Sequence, residues 1–358
     1  MKIGILTYHR TLNYGGCLQA LATRLILESM GHDVYYVDYW PVYHQAYYDV
    51  ISFAKLKQYT GLKSKVKFAI DFIKYGRKSL KRKSSFEYFM KDYIYPYCKA
   101  LTEEYDIVIY GSDQIWRKQA ALNSYNPIYF GSNNIITKKH IAFSASMGIL
   151  PQNDADKKCV FELLKKLDVI SVREKQLCDF LSNEGGFQSK VTLDPTLVVN
   201  REEWQKFVTR TSNYNKYILV YALHDVFNLS SIREYAQTKG LGVKVLYGDV
   251  RKKESKSIIN TAGPYEFLSL IYNANMVFTS SFHGLCFSII FEKEFYTSFE
   301  NNSDRAFSLL EMAGLTDRFI EPNCTCPQEI QTINYDTVYE SINQYREDSL
   351  LFLKKNCR

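Results

Sequence analysis

The fold is decided by residues 2–39, KIGILTYHRTLNYGGCLQALATRLILESMGHDVYYVDY. Residues 2–8 are a short apolar run, and Asn13-Tyr14-Gly15-Gly16 is a turn-rich break. Residues 18–30 then carry apolar side chains at helical spacing, with Gly31 as a stop, and 34–39 are a second apolar run. Strand, helix and strand in this order begin a parallel sheet that is covered on both faces.

The alternation continues outward. Strands are expected at 106–110, 141–144, 169–172 and 191–193, with helices at 155–167 and 174–183. A second set follows, with strands at 217–222, 243–247 and 276–279 and helices at 228–239 and 265–273. The polar stretch 199–216 reads as the linker, and 335–356 as a long terminal helix. We therefore expect two tandem Rossmann-like α/β domains, 1–198 and 199–358, with a cleft between them. A basic helical excursion at about 55–95 leaves the first domain. A chain of 358 residues is long enough for two such domains.

Composition narrows the class. Hydrophobic residues make up 46% and charged residues 23%, which excludes a fully disordered chain. No apolar run reaches the length of a spanning helix. The first residues read as a strand and not as a signal peptide. Eight scattered cysteines show no metal-ligand spacing and read as reduced thiols of a cytoplasmic protein. The net charge is +7, but residues 55–83 hold eleven Lys/Arg and one acid. The remainder has 34 basic and 37 acidic residues, so the basic character is local. That points to one basic face and argues against nucleic acid. Apolar residues among these cations suit either an amphipathic helix on an anionic membrane or a solvated excursion.

Ligands of doubly wound sheets bind beyond the carboxyl ends of the strands. Four constellations stand there. Asn13, Gly15 and Gly16 open the first helix, where a close backbone and free N–H groups suit an anion; the other reading is a tight turn. Ser112, Asp113 and Gln114, within Gly111-Ser112-Asp113-Gln114-Ile115-Trp116, suit recognition of sugar hydroxyls; the other reading is a helix cap. Trp116 suits a sugar face or the core. Arg173 offers a fork for a carboxylate or phosphate, or a structural pair with Glu174 or Asp113. His283, in Ser280-Ser281-Phe282-His283-Gly284, is placed for general acid or base work. Asp194, in Leu193-Asp194-Pro195, reads as shaping an interdomain corner.

In order and spacing, these stretches resemble the polysaccharide pyruvyl transferase family over residues 1 to about 300. The resemblance implies a GT-B-like pair of Rossmann domains. It implies transfer of a pyruvyl group from phosphoenolpyruvate to a sugar of a cell-surface glycan or its lipid-linked precursor. A cyclic ketal forms and phosphate leaves, with no metal and no cofactor beyond the donor. Carried over, Asp113 lies in the cleft, Arg173 holds the donor and His283 transfers a proton. One position departs: the family tends to carry an arginine two residues before the motif histidine, where this chain has Ser281, which is still read as a substrate-binding residue. Either another cation replaces it or the donor differs.

Two other readings stay open. A GT-B glycosyltransferase would use a nucleotide sugar, with Glu266 and Lys293 available for it. A binding protein would keep the cleft without the chemistry.

Overall fold

A computed structural model describes residues 1–49, 61–209, 216–253, 255–300 and 304–358. The first sheet contains β1 (Lys2–Leu6), β2 (Asp33–Asp38), β3 (Cys98–Ala100), β4 (Glu104–Tyr110), β5 (Ile136–Ala145), β6 (Val169–Val172) and β7 (Ser189–Val191). Their spatial order is β3-β2-β1-β4-β5-β6-β7, and all pairs are parallel. The second contains β8 (Tyr217–Ala222), β9 (Gly242–Tyr247), β10 (Ile258–Ile259), β11 (Met276–Thr279) and β12 (Glu294–Thr297). Its order is β10-β9-β8-β11-β12, again parallel. Each sheet reverses its winding once, between β1 and β4 and between β8 and β11. These are the two switch points, where a crevice opens at the strand ends.

The central strands are apolar throughout because both of their faces are covered. All six residues of β8, YILVYA, are buried. Local chemistry places the helices. Asn13 caps the first helix, Tyr14–Ser29, which therefore starts four residues earlier than its apolar spacing indicates. Asn334 caps the terminal helix, Tyr335–Asn356. Three strands, β3, β10 and β12, have two to four residues each and were not expected from the sequence. β7 lies two residues earlier than expected.

The sequence boundary puts the terminal helix wholly in the second domain. In the structure it starts there, with the Tyr335 hydroxyl donating to the Lys293 carbonyl at 2.5 Å. It then returns to the first sheet: the Leu193 N–H donates to Ser349 Oγ at 3.0 Å, and Phe352 stacks on Phe143. The linker region contains a short helix, Arg201–Gln205, whose Trp204 is buried against Phe287. Linker residues 210–215 lie outside the described residues, as do 55–60 of the basic segment.

That segment forms a 32-residue helix, Leu62–Tyr93. Its second half is a strap across both domains. Arg82 is buried and donates to the Tyr14 hydroxyl and the Leu12 carbonyl, each at 3.1 Å, while Phe86 and Phe89 enter the core. One apolar cluster runs from β1 and β4 through Tyr14, Phe86 and Phe267 to the second sheet. Among the described residues no helix is long and apolar enough to cross a membrane.

Candidate active site

The two switch points face each other, and the site lies between them. The first turn of the helix after β1 supplies Gly15, and the loop after β4 supplies residues 111–114. The end of β6 supplies Arg173, and the turn after β7 supplies Asp194. From the second domain, the loop after β11 supplies Ser281 to His283.

Asp194 is the hub. Its Oδ1 accepts from Thr196 N at 3.0 Å and Thr196 Oγ1 at 2.7 Å. Its Oδ2 accepts from Arg173 Nη1 at 2.7 Å, stands 3.1 Å from Ser112 Oγ and lies 3.5 Å from His283 Nε2. Burial alone would raise this carboxyl, but His283 and Arg173 outweigh burial and hold it well below the usual carboxylate range. Asp194 thus does more than shape a corner. It links Arg173 and Ser112 of the first domain to His283 of the second.

His283 is buried, and Nε2 has no hydrogen-bond partner among the described residues. Its ring lies flat against the first helix: a Cβ on Gly15 would stand 1.9 Å from Nδ1. Gly15 therefore leaves room for the imidazole. Gly16 N–H is occupied by Asn13 Oδ1 at 3.4 Å, so this amide is used as a helix cap.

Several expectations are corrected. Ser112 is buried, with Oγ 3.0 Å from the Ser144 carbonyl as well as near Asp194, so it organises the site and does not face a sugar. Trp116 is core: its indole donates to the Tyr129 carbonyl and it stacks on Phe130. Ser281 caps the helix Phe282–Ile290, with Oγ accepting from Gly284 N at 3.4 Å. Arg173 pairs first with Asp194, not with Asp113. Its Nε also lies 3.7 Å from Glu174 Oε1, so the structural pair with Glu174 that the sequence offered is present beside it. Asp113 is half-buried, with Oδ1 accepting from Gln114 N at 2.8 Å, and it lies near Tyr8, Tyr48 and Arg173.

Arg305 was missed, and Glu174 was read only as a partner for Arg173. Glu174 is buried, and Ser146 Oγ donates to its Oε1. Burial raises its carboxyl more than Arg173 and Arg305 lower it. Arg305, at the start of the helix Asp304–Ala313, reaches across to Gln114. With the amide oxygen turned toward the guanidinium, Gln114 accepts from Arg305 Nη1 at 3.2 Å and Nη2 at 2.9 Å. The rule that site residues follow strands finds Arg305 once β12 is known, but β12 itself gives no sequence signal. Away from the cleft, His9, Asp38 and Cys98 bring ligand atoms within 4.8 Å of one another, a grouping that the sequence reading did not show. Arg10 pairs with Asp38 at 2.9 Å and burial pushes the Cys98 thiol up to about 11, so no metal is assigned to them.

Of the residues open to a nucleotide-sugar reading, Glu266 caps a helix by accepting from Gly263 N at 2.8 Å. Lys293 precedes β12, at the end of the sheet away from the cleft.

Fold and site together define a two-domain protein whose charged groups gather at facing switch points. The sequence profile for polysaccharide pyruvyl transferase matches residues 13–303, and the chain belongs to that family; it is a transferase. No curated protein matches the chain. Among solved structures it is similar to the UDP-GlcNAc 2-epimerase of Methanocaldococcus jannaschii, at 12% identity, 96% of this chain, 99% of that chain and a TM-score of 0.47. The UDP-N-acetylglucosamine 2-epimerase of Rickettsia bellii is 10% identical over 99% of this chain and 98% of its own, with a TM-score of 0.48. The spinosyn rhamnosyltransferase is 11% identical over 99% and 96%, with a TM-score of 0.40.

Proposed function

We propose that the chain transfers a pyruvyl group from phosphoenolpyruvate to a sugar of a cell-surface polysaccharide or its lipid-linked precursor, forming a cyclic ketal. The observation that carries this reading is the meeting of Arg173 and His283 at Asp194, in a member of this family. The donor carries a phosphate and a carboxylate and needs a fixed cation; Arg173 supplies one, with Nη2 unspent. His283 gives a proton to the methylene carbon, leaving an oxocarbenium-like centre at the carbon that bears the phosphate. A sugar hydroxyl attacks that centre and its proton passes to Asp113. The carbon–oxygen bond to phosphate breaks, and phosphate leaves with the electron pair. A second hydroxyl closes the ketal and its proton returns to His283, while Asp113 hands the first hydroxyl's proton to the departing phosphate, so the site regains its starting charge.

The acceptor is assigned to a neighbouring cavity, which is lined by none of Asp113, Arg173, Asp194 and His283 and is linked to them through Tyr48. This cavity of about 360 Å³ is lined by Tyr47, Tyr48, Phe68, Phe72, Tyr75 and Arg251, among others. Aromatic faces suit sugar rings, and Tyr48 lies near Asp113. The strap helix supports a peripheral membrane contact on the cytoplasmic side. Its stretch 62–80 exposes Leu62, Val66, Ile70, Ile73 and Leu80 beside its lysines.

The test is phosphate release from phosphoenolpyruvate with galactose- and mannosamine-containing acceptors. Release should need the acceptor and fall at least about 100-fold in His283→Ala, with unchanged circular dichroism. Full activity in a folded His283→Ala protein would remove the proton-transfer role.

A further inference from the structure

The motif serine cannot take the place of a guanidinium, because Ser281 Oγ is used to cap the helix that carries His283. A cation arrives from another element. Arg173 and Arg305 pack on the same ring, Phe282, with guanidinium carbons 4.5 and 5.7 Å from its centroid. Arg173 is matched by the Asp194 carboxylate, whereas the acceptor for Arg305 is the neutral Gln114 amide. Three donors remain buried without a hydrogen-bond partner among the described residues: Nε and Nη2 of Arg173 and Nε of Arg305. Two like charges on one aromatic ring repel each other, and unspent buried N–H groups are costly. An anion placed between the two forks relieves both penalties.

We propose that Arg305 and Arg173 together clamp the anionic group of the donor across Phe282, with Arg305 in the role left open at position 281. Phe282 spaces the forks, and Gln114 aims Arg305. Burial, then the neighbouring Arg173, lower the pKa of Arg305 by more than the nearby carboxylates of Glu174, Asp113 and Asp194 raise it. The clamp is built for a phosphate or a carboxylate; its assignment to phosphoenolpyruvate rests on the pyruvyl-transfer reading.

Titration calorimetry with phosphoenolpyruvate, inorganic phosphate and UDP separates the two claims. Arg305→Ala should bind phosphoenolpyruvate and phosphate about 10- to 100-fold more weakly, the loss of a charge-assisted pair. Arg305→Lys should fall between, and Gln114→Leu should lose less. In turnover, KM for the donor should rise more than kcat falls, and added guanidinium ion should restore part of the affinity of Arg305→Ala. A structural role would not give that rescue. Thermal unfolding checks that each variant is folded. Wild-type affinity in folded Arg305→Ala overturns the clamp. If the unaltered chain binds UDP but neither phosphoenolpyruvate nor phosphate, the pyruvyl reading fails, and the clamp is judged by whether Arg305→Ala weakens UDP. If the chain binds none of the three, the clamp is overturned.

Discussion

Asp194 has four neighbours at residues 112, 173, 196 and 283, and only Thr196 is close to it in sequence. Removing its charge leaves Arg173 buried without a full counter-ion, which costs about 3–5 kcal/mol by analogy with broken buried pairs. Because its folded pKa is depressed, the carboxylate contributes stability that is present above the unfolded value, about 3.9. That contribution is lost as pH falls below this value toward the folded pKa. The gap in urea midpoint between the unaltered chain and Asp194→Asn should therefore be widest near neutrality and shrink below about pH 4. A gap that stays constant with pH would show that the charge of Asp194 contributes nothing. The same residue marks the limit of sequence reading. Asp113 and His283 were legible because each follows a strand whose apolar run is plain. Asp194 was visible only as a turn, since its partners are assembled by the fold. Arg305 was hidden because β12, EFYT, is too short to show a period. Trp116 was ambiguous because a sugar face and a core site need the same indole.

The strap helix, Leu62–Tyr93, has two faces with different tasks. Phe86, Phe89 and Arg82 point into the protein. Leu62, Val66, Ile70, Ile73 and Leu80 recur at spacings of three, four and seven residues, which puts them on one face. That face is turned to solvent, with Ile73 82% exposed. Lysines and arginines flank the stripe, so its matching surface is apolar and anionic at once, as a bilayer of acidic lipids is. The chain should co-sediment with vesicles containing phosphatidylglycerol, and markedly less with phosphatidylcholine alone. Ile73→Asp together with Val66→Asp should abolish the difference while leaving the fold intact, since neither side chain is buried. Equal and negligible binding to both vesicles ends the membrane proposal. The charge run was legible in the sequence, but its division into a strap and a stripe was not. Periodicity shows that a helix is amphipathic; only the packed molecule shows which apolar residues meet the core.

Two Rossmann-like domains joined by a polar linker would ordinarily be expected to unfold separately. Here three elements oppose that. The apolar cluster is continuous across the junction, the strap helix bonds to both sides through Arg82, to Tyr14 and to the Asn260 carbonyl, and the terminal helix returns to the first sheet. Tyr14 is the point where the first two converge. It stacks on Phe267 of the second domain at 4.4 Å and on Phe86 of the strap at 5.1 Å. Its hydroxyl donates to the Ala262 carbonyl at 3.0 Å and accepts from Arg82. Gly15 and the seat of His283 follow it directly, so the residue that joins the domains also fixes the distance between the two halves of the site. Calorimetry of the unaltered chain should show one transition, with van't Hoff and calorimetric enthalpies equal. Tyr14→Ala opens a cavity at the junction and strands Arg82. It should cost about 3–5 kcal/mol and separate the melting of the two sheets, and turnover should fall because His283 no longer meets Asp194 in register. Tyr14→Phe keeps the ring stack and loses only the hydroxyl bonds, so it should keep a single transition at a lower temperature. Two resolved transitions in the unaltered chain would mean that the shared core does not couple the domains, and that the site is assembled by the ligand instead.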